Sequence, residues 1–125
     1  MKIVELALTL IGAGVGAVLR YVVGGWISHR AGAAFPWGTL VVNILGCSAL
    51  GLLHGAAADD KALLFILGSG IIAGFTTFST LMLETLNLTL AKEHDRAFFN
   101  VVGSVAVGLP ALLLALQFGE WLRTL

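Results

Sequence analysis

The chain has 125 residues, 58% of them hydrophobic and only 11% charged, with a mean hydropathy of +1.00. A soluble domain usually carries about a quarter charged residues, so there is too little polar surface here to cover a water-facing globule. The net charge of +0 points to neither nucleic acid nor a polybasic lipid patch as partner.

A bilayer span needs about 20 mostly apolar residues, and the sequence supplies four such runs, at about 3–27, 37–57, 62–90 and 98–122. The expected fold is therefore an all-α membrane protein. One transmembrane domain over residues 1–125 leaves no room for a soluble one.

The first run opens with Lys2 and has Ala31-Gly32-Ala33 downstream, a superficial likeness to a signal peptide and its cleavage site. It is too long for a typical apolar leader and Arg20 interrupts it, so it reads as a retained span. Gly12, Gly16 and Arg20 share one face at i, i+4, i+8. Small residues at that spacing let two backbones approach closely, and packing within the chain or a dimer seam would use them equally well.

In the second run Thr39, Asn43 and Gly46 share a face. Cys47, the single cysteine, cannot pair within the chain and reads as a small packing residue. The third run is the most unusual, with Gly68-Ser-Gly-Ile-Ile-Ala-Gly74-Phe-Thr-Thr-Phe-Ser-Thr80. Glycine weakens a helix, and hydroxyl side chains compete for its backbone bonds. A break near Ala73 to Thr77 is expected, freeing carbonyls that could bind a cation; such a break is tolerated only inside protein or a cavity. Phe75 and Phe78 flank it, and a ring's positive edge can face an anion. Thr77, Thr80 and Glu84 continue the polar face, and in the fourth run Asn100, Ser104 and Gly108 do the same.

The connections are short, and Trp26, Trp37 and Trp121 lie near span ends, where indole prefers the interface. Lys2, Lys61 and Arg123 fall on one side of the membrane and Arg30, Lys92 and Arg96 on the other. This balance of three against three gives no firm orientation. It fits a weak bias overridden by other factors, or a dual topology in which both orientations insert and meet as an antiparallel dimer.

No catalytic constellation stands out, and His29, His54 and His94 lack metal-ligand spacing. Three polar stripes of amide and hydroxyl groups remain. They can donate to a small anion, but they also accept, so they would equally fit a cation, water or contacts between helices. Arg20 and Glu84 are the charges within spans, placed where either could tune the field of a vestibule or snorkel to the interface.

Gly12-Ala-Gly-Val-Gly-Ala-Val-Leu-Arg20-Tyr21, Gly38-Thr-Leu-Val-Val-Asn43-Ile-Leu-Gly46, Gly74-Phe-Thr-Thr-Phe-Ser-Thr80 and Asn100-Val-Val-Gly-Ser104 resemble, in order, the four helix motifs of the CrcB/Fluc family of fluoride channels. The resemblance implies a multi-pass protein of the cell (inner) membrane, a dual-topology antiparallel homodimer with two pores for passive fluoride export. It implies a structural Na+ at the dimer centre, held by the backbone carbonyls of Ala73 and Thr76 at the helix break, with Gly74 and Thr77 in that break. Asn43 would be a pore donor, Phe78 a ring contacting the ion, and Ser79, Thr80 and Ser104 part of a polar track. Arg20 and Glu84 would belong to the vestibule. The chain departs from the pattern at Ala73, where glycine is usual, and at Leu81, where a second pore phenylalanine is expected. The second departure leaves room for a modified or heteromeric pore. Two rivals remain: a proton-coupled multidrug exporter, which needs a carboxylate mid-way along the first helix, and a non-transporting scaffold.

Overall fold

The computed structural model describes residues 2–125. It contains four helices long and apolar enough to cross a membrane: α1 (Ile3–Ala31), α2 (Trp37–Ala56), α3 (Lys61–Leu90) and α4 (His94–Thr124). The chain is accordingly a multi-pass membrane protein. At 1.5 Å per residue, the 29 residues of α1 extend over about 44 Å, against a hydrocarbon core of about 30 Å. α1 and α4 therefore outrun their expected spans by several residues, because polar helix ends project into the interface, while α2 and α3 match theirs to within a residue.

Helix ends follow local chemistry. Gly32 takes φ 87 just past α1, and its N–H returns to the Ser28 carbonyl at 3.0 Å; a left-handed residue closing a helix this way is usually glycine. Asp60 accepts from the Leu63 N–H at the start of α3, at 2.9 Å. The short α3–α4 turn carries Lys92 at φ 60.

The helices meet through backbones rather than through large side chains. α1 lies against the first half of α3, where a Cβ on Gly16 would overlap the Ile71 carbonyl and one on Gly74 would overlap the Ala13 carbonyl. Gly12 and Gly16 on α1 thus lie against Ile71 and Phe75 of α3, while Gly70 and Gly74 on α3 lie against Thr9 and Ala13 of α1, each pair at i, i+4. This settles the first-helix glycine pair as a seam within the chain. α2 makes its broadest contact with α4, where Gly51, Gly55 and Gly119 bring the two backbones together. The second half of α3 then packs on α4, so α3 changes partner midway.

The interior is small and partly polar. Val42, Leu81 and Ala97 are its buried apolar side chains, beside buried Thr9, Thr77 and Asn100. Leucines, valines and aromatics instead stud the outside, the arrangement expected when lipid is the solvent.

α3 itself is irregular. Leu64–Ile72 is wound as a π-helix, Ala73–Phe75 returns to α-geometry, and Ser79–Leu90 resumes it after a lapse at Thr76, Thr77 and Phe78. Thr76 is fully extended, with φ −82 and ψ 158. The axis bends by only 22°, so the lapse interrupts the hydrogen-bond ladder while the rod stays nearly straight. The break expected near Ala73 to Thr77 is thus seen only as a local lapse at 76–78, without a kink that divides the helix. Gly74 is still helical, and its missing side chain serves the approach to Ala13 instead.

Candidate functional site

An interrupted ladder leaves donors and acceptors that hydrocarbon cannot satisfy. Asn43 on α2 answers the central pair: its Oδ1 accepts from the Thr77 N–H and its Nδ2 donates to the Thr77 carbonyl, both at 2.8 Å. One side-chain amide thus replaces a length of backbone. Thr77 then caps the helix that follows, its Oγ1 accepting from the Thr80 N–H at 3.2 Å. The same hydroxyl donates to Thr80 Oγ1 at 3.0 Å and lies 3.4 Å from Ser79 Oγ. Capping of this kind by a hydroxyl is what starts a helix.

Two carbonyls lose their usual partners. The Thr77 N–H that would reach Ala73 goes to Asn43, and the Thr80 N–H that would reach Thr76 goes to Thr77 Oγ1. The Ala73 carbonyl keeps a long contact of 3.4 Å from Thr76 Oγ1, which also donates to Ile72 at 3.2 Å. The Thr76 carbonyl accepts from Arg20 Nη1 at 3.2 Å. Arg20 therefore turns inward to the lapse rather than snorkelling.

Two recesses flank the Asn43–Thr77 clamp. One, of about 290 Å³, lies between α1, α2 and α3 and is lined by Arg20, Tyr21, Thr39, Thr77 and Thr80. The other is a groove of about 550 Å³ with mostly apolar walls, lined by Asn43, Thr76, Phe78, Leu81 and Ser104. Above the first recess Thr39 Oγ1 donates to Glu84 Oε1 at 2.6 Å, while Glu84 Oε2 is buried without a partner among the described residues.

The sequence-derived residues thus divide. Arg20, Thr80 and, through Thr39, Glu84 belong to the first recess; Asn43, Thr76, Phe78, Leu81 and Ser104 belong to the groove; Thr77 touches both. Ala73 also lines the groove and is exposed there, Ser79 is exposed, and Phe78 is 74% exposed. Leu81, by contrast, is 7% exposed, pointing into the bundle. Ser104 donates to the Asn100 carbonyl of its own helix.

One polar tie was missed in the sequence. Asn100, fully buried, donates from Nδ2 to Thr85 Oγ1 at 3.0 Å, and Thr85 passes its proton to the Leu81 carbonyl at 2.7 Å. Asn100 Oδ1 has no partner among the described residues. Thr85 stood outside the third-helix polar stripe, and only its spacing of four residues from Leu81 hinted at the back-bond.

The family model described as CrcB-like protein, Camphor Resistance (CrcB), matches residues 7–116. Among curated relatives, the fluoride-specific ion channel FluC 1 of Rubrobacter xylanophilus is 65% identical over 117 residues, covering 94% of each chain. FluC 1 of Streptomyces avermitilis is 43% identical over 116 residues, 90% of this chain and 94% of the relative. FluC 2 of Mycobacterium tuberculosis is 44% identical over 113 residues, 90% of this chain and 85% of the relative. The matched stretch runs from the first turns of α1 almost to the end of α4 and contains the lapse, the Asn43 clamp and both recesses: the chain belongs to the CrcB family.

Proposed function

We propose that this chain conducts fluoride passively across the membrane, as an antiparallel pair of identical subunits. The observation that carries the reading is the convergence of side-chain donors from α1, α2 and α3 on the lapse, between two recesses. The relatives named fluoride-specific ion channels identify the ion.

A small anion leaves water only if donors replace its hydration. Arg20, Asn43 and Thr80 can supply these, and the exposed edge of the Phe78 ring adds a weak, dry contact. Ser104 and Ser79 extend the polar groups on either hand. Leu81 offers no positive ring edge, so the donors carry the transfer past it.

A second subunit accounts for what a single chain leaves open. Ala73, Phe78 and Ser79 face outward beside the lapse, where lipid cannot bond a freed carbonyl or a hydroxyl. Balanced loop charges permit both orientations to insert. In such a pair α3 is functionally broken at residues 76–78, each lapse facing its copy.

The carbonyls of Ala73 and Thr76 fit a structural Na+. Both have lost their helical donors, and unwound carbonyls are the ligands Na+ takes in membrane proteins. Arg20 uses one lone pair of the Thr76 oxygen and leaves the other. The ion would tie the two lapses together.

The multidrug-exporter alternative lacks its central carboxylate: Glu5 sits in the first turn of α1, accepting from the Lys2 N–H at 3.3 Å. The test is efflux from liposomes loaded with fluoride or chloride and followed by ion-selective electrodes. Rapid fluoride loss with little chloride loss is expected. No fluoride loss from a folded dimer would overturn the proposal and leave the scaffold reading.

A further inference from the structure

A second, outer recess of about 380 Å³ lies beyond the Arg20 recess, beneath the 32–36 connection, with Phe35, Pro36, Glu84 and Asn87 among its walls. Ser28 lines both this recess and the inner one. The partition between them is completed by Thr39 and Glu84, which belong to opposite sides and are joined by their 2.6 Å hydrogen bond. An anion travelling from the outer mouth to Arg20 must therefore pass a carboxylate whose second oxygen has no proton donor among the described residues.

Passing that charge requires a donor on the facing wall. Thr39 is committed to Glu84. Thr9, Ser48, Thr85 and Ser104 turn their hydroxyls back onto carbonyls four residues earlier. Ser28, among the described residues, does neither: its hydroxyl makes no hydrogen bond and is exposed at the junction. It lies against the first turn of α2, where a Cβ on Gly38 would overlap Ser28 Oγ. The glycine leaves room for that hydroxyl between the first turn of α2 and the last turns of α1.

We propose that Ser28 is an anion-binding donor at the throat between the two recesses, offering its O–H to fluoride as the ion passes Glu84. The inference rests on the channel reading and adds to it a site at the pore entrance. The throat recruits one uncommitted hydroxyl where the inner recess relies on Arg20.

The experiment measures fluoride efflux from liposomes carrying wild-type protein, Ser28→Ala, Ser28→Thr, and Ser28→Cys in a Cys47→Ala background. Loss of one neutral hydrogen bond should slow Ser28→Ala about fivefold, with the dimer intact by size exclusion, while Ser28→Thr restores the rate. Attaching a small methanethiosulfonate to Ser28→Cys, verified by mass spectrometry, should slow efflux further. A Ser28→Ala rate equal to wild type, or labelled Ser28→Cys that conducts as before labelling, would overturn the site. Wild-type protein that carries no fluoride would instead overturn the channel reading beneath it.

Discussion

Replacing Asn43 by leucine removes both ends of the clamp on Thr77. The Thr77 N–H and carbonyl, each bonded at 2.8 Å, then lie in a residue only 9% exposed. Each buried polar group left without a partner costs about 1–3 kcal/mol, so the pair amounts to about 2–6 kcal/mol. At several degrees per kcal/mol for a domain of this size, the melting midpoint should fall by about 10 °C or more. Asn43→Asp separates the two bonds. It keeps the acceptor for the N–H but sets a carboxylate oxygen against the Thr77 carbonyl, which favours a protonated acid or a displaced loop. The order of midpoints should therefore be wild type, Asn43→Asp, Asn43→Leu, read by thermal loss of the folded species on size exclusion in detergent, with fluoride efflux falling in parallel. An Asn43→Leu protein that melts with the wild type would refute the clamp, and with it the idea that one amide replaces backbone at the lapse.

Gly16→Ala should prevent recovery of monodisperse protein, since its Cβ meets the Ile71 carbonyl and the Phe75 N–H, which are backbone atoms and cannot swing away; Gly14→Ala, in open space, is the control and should purify normally. Thr39→Val strips Glu84 of its one partner at 2.6 Å and should destabilise by about 1–3 kcal/mol, whereas Thr39→Ser should restore both stability and efflux. Exchanging Na+ for N-methylglucamine should lower the dimer's melting midpoint and leave secondary structure by circular dichroism intact; an unchanged midpoint would count against the carbonyl cradle at Ala73 and Thr76.

Periodicity and composition made the four spans legible because lipid imposes one constraint on every turn of helix. Helix ends were less so. His94 to Ala97 and Ser28 to Ala31 are too polar to score as hydrocarbon, yet they remain hydrogen-bonded helix beyond it. The α3 irregularity was legible in its residues but not in its register. Glycine and threonine both weaken a helix, but Gly74 earns its place by lying against Ala13, and the ladder fails instead where Asn43 supplies a substitute partner. That partner lies 34 positions away in sequence, and no local pattern encodes it. The glycine pair on α1 was ambiguous for the same reason: spacing announces a close approach without saying to what. The answer was the α3 backbone at Ile71 and Phe75, with Gly70 and Gly74 returning the approach against Thr9 and Ala13.

The hydrogen bonds also divide the candidate residues by what they have left to give. Thr77 Oγ1 donates to Thr80 and accepts from its N–H, so its one proton is committed to holding the lapse. Thr39 spends its proton on Glu84 and Ser104 spends its own on Asn100. Asn43 retains one of its two amide protons, Arg20 most of its five, and Thr80 Oγ1 only accepts from Thr77, which leaves its own proton uncommitted. An anion replaces water with donors, not with polar atoms in general. The path past the lapse is therefore set by Arg20 and Thr80 on one side of the clamp and the spare Asn43 proton on the other. Stability and conduction meet at Asn43, which clamps the lapse and still has an amide proton to give.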